Sequence, residues 1–433
     1  MSKKSSRVKF IIISIFVAIA TFFTVFQFNV PFTNKTWNGF ARSVELGLDL
    51  GGGVYALYDA KMDSADPKTL ETGIDETLES LNAFWLDRKQ IEPIISKIGT
   101  SQIKVEVLDF GFPTNMFEWL GNPKQVHIKK TNDSKAEDVL STQHISTADI
   151  SADQNKYGVI VKLNANGAKI FEKLVEEIGS DDAKLYCFLD DETSSTLTIA
   201  VKKQMTGAAF FMASSTDMTS SLAQELAYNI VSGTFTAKLS HISDGKVNAL
   251  YGENAMLLFI IAFSVILFAT MLYLFLSYGD FGLLGSFSLF IWVILTIFFL
   301  QAVPVVQLTA SGLAGILLSF AITAFINIFI FEKIRKEYEY GKKLPLACKA
   351  GFKNAIPTIA DFGGISLIAS LIFWIATTGG AKSFGVSLFI GTAVMLFTTL
   401  IITRWFIKLY LPLNSTNAGK LKFKKEASDE KAV

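Results

Sequence analysis

The sequence predicts a polytopic α-helical membrane protein, with six spans in a one-plus-five arrangement and a large α+β domain outside the cytoplasm. Half of the 433 residues are apolar. Many of them lie in runs of about 20 residues, the length that crosses a bilayer as a helix. Between the first run and the later ones, strand and helix patterns alternate in ordinary mixed sequence, which is typical of layered α+β folds.

The first span is predicted over residues 10–30, after a basic leader of residues 1–9. A cleavable signal peptide is the alternative, but the apolar run is long for a signal and no small-x-small cleavage site follows it. We therefore expect a transmembrane helix that is not cleaved off. The remaining apolar runs predict a five-helix bundle over residues 254–411, with spans at 255–277, 281–301, 305–331, 356–378 and 384–411.

Positive charge predicts how these spans are oriented. Lys and Arg are enriched in the leader, in residues 332–354 between the fourth and fifth spans, and in the tail 412–433. Cytoplasmic segments of membrane proteins carry an excess of these residues. Six spans place all three segments on one side, so we expect both termini and the 332–354 loop in the cytoplasm, and residues 31–253 outside it.

The predicted outside domain contains amphipathic helices and short strands in alternation. Helices are expected over 67–88, 164–179 and 214–233, the last ending at Gly233 as a residue just past the helix C-terminus. Strands are expected over 91–98, 102–110, 157–163 and 184–191. The alternation favours two subdomains.

Residues 44–60 place four glycines just before an alternating strand pattern. A phosphate-binding loop is one interpretation of such a cluster. However, the segment has no Gly-Lys-Ser/Thr and no following helix whose N-terminus could hold a phosphate. We instead expect a tight turn and a bulge at positions that only glycine fits.

The polar residues outside the spans do not form a pattern typical of an enzyme. The paired acids Asp181-Asp182 and Asp190-Asp191 have turn-like contexts, where solvated carboxylates are far commoner than catalytic ones. The three His residues are too scattered in sequence for a metal cluster. A net charge of +1 is too small to attract the negatively charged backbone of nucleic acid. We predict no enzyme activity, no cofactor, no metal and no nucleic-acid partner.

Two polar residues within the spans are candidate functional residues, because polar groups are costly in a bilayer. Asp361 lies near the cytoplasmic end of the fifth span. It is either hydrated at the interface or paired with Lys353 or Arg335, or it faces the bundle and handles a proton or cation. Asn327, in the fourth span, is expected mainly to hold helices together, as are the small residues of 310–315.

Several motifs follow one another in the order found in SecD, a family of membrane proteins of the export machinery. LGLDLGGG (46–53) resembles the Leu-Gly-Leu-Asp-Leu-Arg-Gly-Gly signature of that family. Residues 163–179 and 222–233 are similar to segments of its large outside domain. Residues 309–367 resemble its fourth span, cytoplasmic loop and fifth span, and residues 378–404 resemble its sixth span.

This resemblance implies one half of a SecDF complex, an RND-like assembly with six spans in each half. The outside domain is then divided into a base, about 31–112 and 214–253, and a head, about 113–213. The implied function is to assist protein translocation in the cell membrane. The implied partners are a SecF-like second half, a SecYEG-type Sec channel, exported polypeptides and membrane lipid.

The chain departs from the family pattern at a position expected to carry protons. The family's Asp-Ala-Asn in the fourth span falls on Phe325-Ile326-Asn327, so the Asp is replaced by Phe325. Gly51 likewise replaces the Arg of the signature. A complete proton relay is therefore not implied. The alternatives are an RND-like exporter of lipid or small hydrophobic molecules, and a scaffold that holds emerging chains. The residues that match the family motifs are Asp49, Gly52, Gly53, Asn327 and Asp361.

Overall fold

The structure is a computed structural model, and the chain divides into two compact units. One unit, the membrane unit, comprises Met1–Gly52 with Asn248–Val433, and the other, the α+β unit, comprises Gly53–Val247. The structure describes residues 3–30, 35–62, 66–87, 93–109, 111, 113, 115–153, 156–178, 183–190, 197–201, 209–214, 218–303 and 307–414.

Twelve α-helices are described, together with a π-helical turn at Thr398–Thr403 that joins the last two. The helices are α1 (Lys3–Val25), α2 (Leu48–Gly51), α3 (Pro67–Asp87), α4 (Met116–Leu120), α5 (Ala165–Ile178), α6 (Ser220–Gly233), α7 (Ala255–Tyr278), α8 (Asp280–Ala302), α9 (Ala310–Glu339), α10 (Leu344–Ala376), α11 (Gly379–Phe397) and α12 (Arg404–Asn414).

Among the described residues of the membrane unit, six helical segments are long and apolar enough to cross a bilayer, which confirms the predicted six spans in a one-plus-five order. Their ends differ from the predictions. The first helix ends at Val25 and not at residue 30, because residues 28–29 pair as a strand with residues 36–37. The fourth helix begins at Ala310 and not at residue 305, because Thr309 caps it.

The segment 332–354, predicted as a loop, is mainly helical. α9 continues to Glu339 and α10 begins at Leu344, so that only residues 340–343 separate the two helices. The prediction was wrong on this point because the end of an apolar run marks where the chain becomes polar. The backbone hydrogen bonds of a helix do not depend on apolar side chains, so the helix can continue past that point.

Close packing in the bundle depends on small residues, as predicted for residues 310–315. A Cβ added to Gly315 would lie 2.7 Å from the backbone oxygen of Phe384 on α11. Gly391 of α11 is equally enclosed, and its backbone oxygen accepts a hydrogen bond from Trp292 Nε1 on α8 at 2.9 Å. Small residues at helix contacts allow backbones to approach closely in membranes.

Gly282 of α8 packs closely against the backbone of α7. A Cβ at this residue would lie 1.9 Å from the backbone oxygen of Leu274. Since a backbone oxygen cannot rotate away like a side chain, we expect Gly282→Ala to destabilise the bundle by about 1–3 kcal/mol, the usual cost of overpacking. The measurement is the unfolding midpoint of the detergent-solubilised chain. Gly364→Ala is the matched control, because nothing lies within 4 Å of its added Cβ. An equal loss in both variants would contradict the packing argument.

The described part of the α+β unit forms two antiparallel sheets, which confirms the predicted fold class. The smaller sheet has the strand order β13-β3-β5-β4 and the larger has the order β7-β6-β10-β11-β12-β9-β8. A short ribbon of β1 and β2 belongs to the membrane unit. The strands are β1 (Phe28–Asn29), β2 (Thr36–Trp37), β3 (Gly53–Lys61), β4 (Ile94–Ile98), β5 (Gln102–Val107), β6 (Val126–Lys129), β7 (Leu140–Ser141), β8 (Ile145–Asp153), β9 (Lys156–Leu163), β10 (Ala183–Leu189), β11 (Leu197–Val201), β12 (Ala209–Ser214) and β13 (Lys238–Val247).

Helices α3 and α5 confirm the predicted helices within one residue at each end. The third predicted helix begins later, at Ser220, because the Thr219 side chain accepts a hydrogen bond from Leu222 N and caps it. Gly233 was predicted to follow the helix, but it is the last helical residue. A Cβ at Gly233 would lie 2.1 Å from the backbone oxygen of Lys124, so this glycine permits close packing. The limits of the base and the head stay predictions.

Asp190 has the turn role that the sequence favoured over catalysis. Its φ is 49°, in the left-handed region, and its carboxylate accepts from Lys124 Nζ at 2.8 Å and Gln125 N at 3.0 Å. Partial burial raises the pKa of this carboxyl, but the hydrogen bonds from Lys124 and Gln125 outweigh burial and leave it below its usual range. Asp181, Asp182 and Asp191 lie outside the described residues.

Candidate functional site

The glycine-rich motif 46–53 ends the first part of the membrane unit. Leu48 and Leu50 of α2 are buried, and Gly52 then turns the chain into β3 with a φ of 68°. That φ is in the region that favours glycine, so the predicted tight turn is confirmed at Gly52. Gly53 begins β3 in regular pairing with Val247. The predicted bulge is therefore not at these glycines.

Asp49 connects this motif to the N-terminus of α9. Its Oδ2 accepts a hydrogen bond from Ala310 N, the first helical residue, at 2.7 Å. The backbone adds two bonds beside it, from Gly47 N to the Leu308 oxygen at 2.9 Å and from Tyr251 N to the Asp49 oxygen at 3.2 Å. A helix N-terminus has unsatisfied N–H groups and a partial positive charge, and a carboxylate compensates both.

Each of three N–H groups at this helix start has a partner from a different part of the chain. Ala310 N donates to Asp49, and Gly312 N donates to the Thr309 hydroxyl at 3.2 Å. Thr309 N donates to Ser383 Oγ on α11 at 3.2 Å. The start of α9 is thus fixed by the motif, by its own cap and by the sixth span.

Asn327 is fully buried in α9, as expected of a residue that holds helices together. Its Nδ2 donates to the Thr323 backbone oxygen at 2.9 Å. Thr403, in the π-helical turn, places its hydroxyl 3.1 Å from Asn327 Oδ1 and 2.8 Å from Ser288 Oγ on α8. The single hydroxyl proton can serve one of these acceptors at a time. Asn327 therefore joins α9 to the sixth span and, through Thr403, to α8.

Sequence reasoning missed the hydroxyl groups that extend from Asn327 through the bundle. Ser319 and Thr323 precede Asn327 at four-residue spacing on α9, and both are fully buried. Nearby, Ser366 of α10 and Thr392 of α11 bond each other at 2.9 Å. The four-residue spacing of polar residues in an apolar span was the signal that could have found this group.

Asp361 does not face the interior of this bundle. Its side chain is exposed on the outer surface of α10 and makes no hydrogen bond or ion pair among the described residues. The predicted pairing with Arg335 is not formed, because Arg335 lies 3.5 Å from Glu332 and 3.2 Å from Glu339. No pairing with Lys353 is present in the described part of the chain either. Asp361 as a relay residue stays a prediction.

Phe325 lies on the same outward face as Asp361. Its side chain is 44% exposed, and its ring centroid lies 5.4 Å from that of Phe362. Asn327, two residues along the helix, points inward instead. The structure therefore places Phe325 against Phe362, the residue that follows Asp361, and it does not bring together Asn327 and Asp361.

Comparisons with known proteins agree with the motifs. No family model matches the chain. It is 27% identical over 395 residues to "Protein translocase subunit SecD" of Acidaminococcus fermentans, which covers 90% of this chain and 92% of that protein. It is 26% identical over 386 residues to the same subunit of Sebaldella termitidis, covering 88% and 93%.

A solved structure shows a similar fold. The crystal structure of SecDF in its super-membrane-facing form has a TM-score of 0.64 and an identity of 22%. The similarity covers 93% of this chain and 57% of that one. The chain thus spans nearly the whole length of these two SecD subunits, and a little more than half of the SecDF chain.

Proposed function

Because the chain is a divergent member of the SecD family, we propose that it assists the movement of polypeptides across or into the cell membrane beside a Sec channel. The observation that carries this proposal is the position of the family signature. Its Asp49 is bonded to the first residue of α9, and its glycines lead directly into β3. The signature thus connects a membrane span to the chain that enters the α+β unit.

We propose the predicted orientation for the same protein. The basic segments 1–9, 332–354 and 412–433 would be cytoplasmic, and residues 31–253 would be outside. Exported polypeptides would then meet the α+β unit after they leave the channel. This orientation is tested by labelling single cysteines from either side of sealed membranes.

A SecF-like second half would cover the outward face of α9 and α10 that carries Phe325, Asp361 and Phe362. A carboxylate on an apolar span is costly when it faces lipid, and such residues usually face protein or water. In support, Asp361 is exposed when no second half is present. Ile365, one helical turn further along α10, is 70% exposed. The length of the SecDF chain also leaves room for a second half.

Photo-cross-linking tests this arrangement directly. A photoreactive residue at position 365 should give an adduct with a six-span SecF-like protein. The same residue at position 268 is the matched control, because Phe268 of α7 is 69% exposed on a different span. Equal adducts at both positions would contradict a specific interface.

Depletion of the chain tests the function itself. We expect secretory precursors to accumulate in a pulse–chase experiment as the chain is lost from the membrane. Normal secretion after depletion, together with no adduct to a SecF-like protein or the channel, would contradict the proposal. Efflux of lipid or dye from proteoliposomes that contain the chain, without any secretion defect, would instead favour the hydrophobic-molecule exporter.

A further inference from the structure

A pocket of about 250 Å³ lies between α10 and α12, at the end of the bundle that carries the basic 332–354 segment. Three cationic side chains line it, Lys349 from α10 and Arg404 and Lys408 from α12. Its apolar walls include Phe352 and Ile407. The pocket therefore combines positive charge with apolar surface at the place where the fifth and sixth spans meet the more polar chain.

Regular helix spacing builds this arrangement. Lys349 and Phe352 are three residues apart on one face of α10, and Arg404 and Lys408 are four residues apart on one face of α12. The Arg404 guanidinium lies over the Phe352 ring, with 5.3 Å from its carbon to the ring centroid. This contact holds a cation on the lining of the pocket.

No carboxylate neutralises these cations among the described residues. The acids at the nearby end of α9 already have partners, since Glu332 and Glu339 lie beside Arg335, and Glu337 pairs with Lys342. The first turns of α10 add the partial positive charge of a helix N-terminus. The pocket is therefore a region of positive potential that no described carboxylate neutralises.

We propose that this pocket binds the phosphate of an anionic phospholipid. Snorkelling explains single cations near a membrane boundary, because each side chain then reaches water separately. It does not explain three cations from two spans that line one pocket with apolar walls. Basic pockets between spans bind anionic head groups in this way, while the acyl chains remain against the apolar helices. The proposal is independent of the proposed function.

Native mass spectrometry of the full chain in detergent tests the proposal, with phosphatidylglycerol as the probe and phosphatidylcholine, a zwitterionic lipid without net charge, as the comparison. The pocket variant is K349Q/R404Q/K408Q. We expect the half-saturating concentration of phosphatidylglycerol to rise at least about tenfold, since each surface cation typically contributes severalfold to the binding of anionic lipid. The control variant K336Q/K343Q/K353Q removes three cations that lie outside the pocket lining, and we expect a change of less than about twofold.

Two further arms identify the ligand and guard against misfolding. Lys408→Gln alone changes one exposed side chain and should raise the half-saturating concentration about fivefold. Inorganic phosphate should not displace the lipid at equal concentration, because it cannot use the apolar walls. Equal losses in the pocket and control variants would overturn the proposal in favour of diffuse charge. Displacement by inorganic phosphate would overturn it in favour of a site for soluble anions.

Discussion

Replacing Asp49 with alanine should loosen the start of α9 and speed hydrogen exchange at Ala310 by about two- to thirtyfold. The substitution removes the carboxylate that accepts from Ala310 N at 2.7 Å. Loss of such a capping group typically costs about 0.5–2 kcal/mol, and 1.4 kcal/mol corresponds to tenfold in an equilibrium. The exchange of a peptide that covers residues 308–316 measures the effect by mass spectrometry.

Two matched variants separate the hydrogen bond from general charge. Asp49→Asn keeps an acceptor oxygen but removes the charge that complements the helix N-terminus, so its exchange rate should be intermediate. Glu45→Ala removes an exposed acid from the same segment, and its backbone bond to Leu308 N remains. Faster exchange in Glu45→Ala equal to that in Asp49→Ala would contradict a specific role for Asp49.

The same substitution is also expected to reduce export, because the signature connects α9 to the chain that enters the α+β unit. The other two bonds at this helix start, from Gly312 N to Thr309 and from Thr309 N to Ser383, do not involve Asp49. The helix should therefore persist while the side-chain bond from the motif to Ala310 is lost, and only the backbone bonds to Leu308 remain. Normal secretion in Asp49→Ala, despite faster exchange, would show that this link does not serve export.

The spans could be predicted from the sequence because they depend on a bulk property. A run of about 20 apolar residues is costly in water and fits a bilayer, whatever its neighbours are. Asn327 was correctly expected between helices, since a buried amide needs partners. The ends of the helices were harder to predict from the sequence, because α9 continues through Glu332 and Arg335 to Glu339 without any change in backbone bonding.

The partners of the site residues could not be predicted, for two physical reasons. Asp49 bonds a residue 261 positions further along the chain, and only the packing of the bundle brings the two together. The direction of Asp361 was also hidden, because α10 is apolar on all sides around it. An amphipathic helix reveals its buried face by periodicity, and a uniformly apolar one does not.

Replacing Asp361 with asparagine should remove most of the stimulation of export by a proton gradient, because losing a proton-transfer group typically lowers a rate by about 10²–10⁴-fold. Phe325 occupies the position that holds an Asp in the fourth span of the family pattern, and a phenyl ring cannot carry a proton. We therefore propose Asp361 as the residue that carries protons along this outward face. Precursor uptake into inverted membrane vesicles, with the gradient present and then dissipated, measures the effect.

Controls can separate a proton role from folding. Asp361→Glu keeps the carboxylate and should retain most of the response to the gradient. Phe325→Ala changes the adjacent aromatic contact with Phe362 and should leave the response within about twofold, because it removes no ionisable group. Asp361→Asn should not destabilise the isolated chain, since a charge in a span costs about 2.5–3.5 kcal/mol and this one has no partner among the described residues.

These outcomes distinguish the proton-coupled protein from a scaffold. A gradient response that survives Asp361→Asn would mean that protons pass elsewhere, and Asp361 would then be explained by contact with the second half alone. Export that is indifferent to the gradient in the unaltered chain would favour a scaffold that holds emerging polypeptides. In that case Phe325 would mark a loss of coupling, and the bond between Asp49 and α9 would remain as a structural link without a proton-driven motion to transmit.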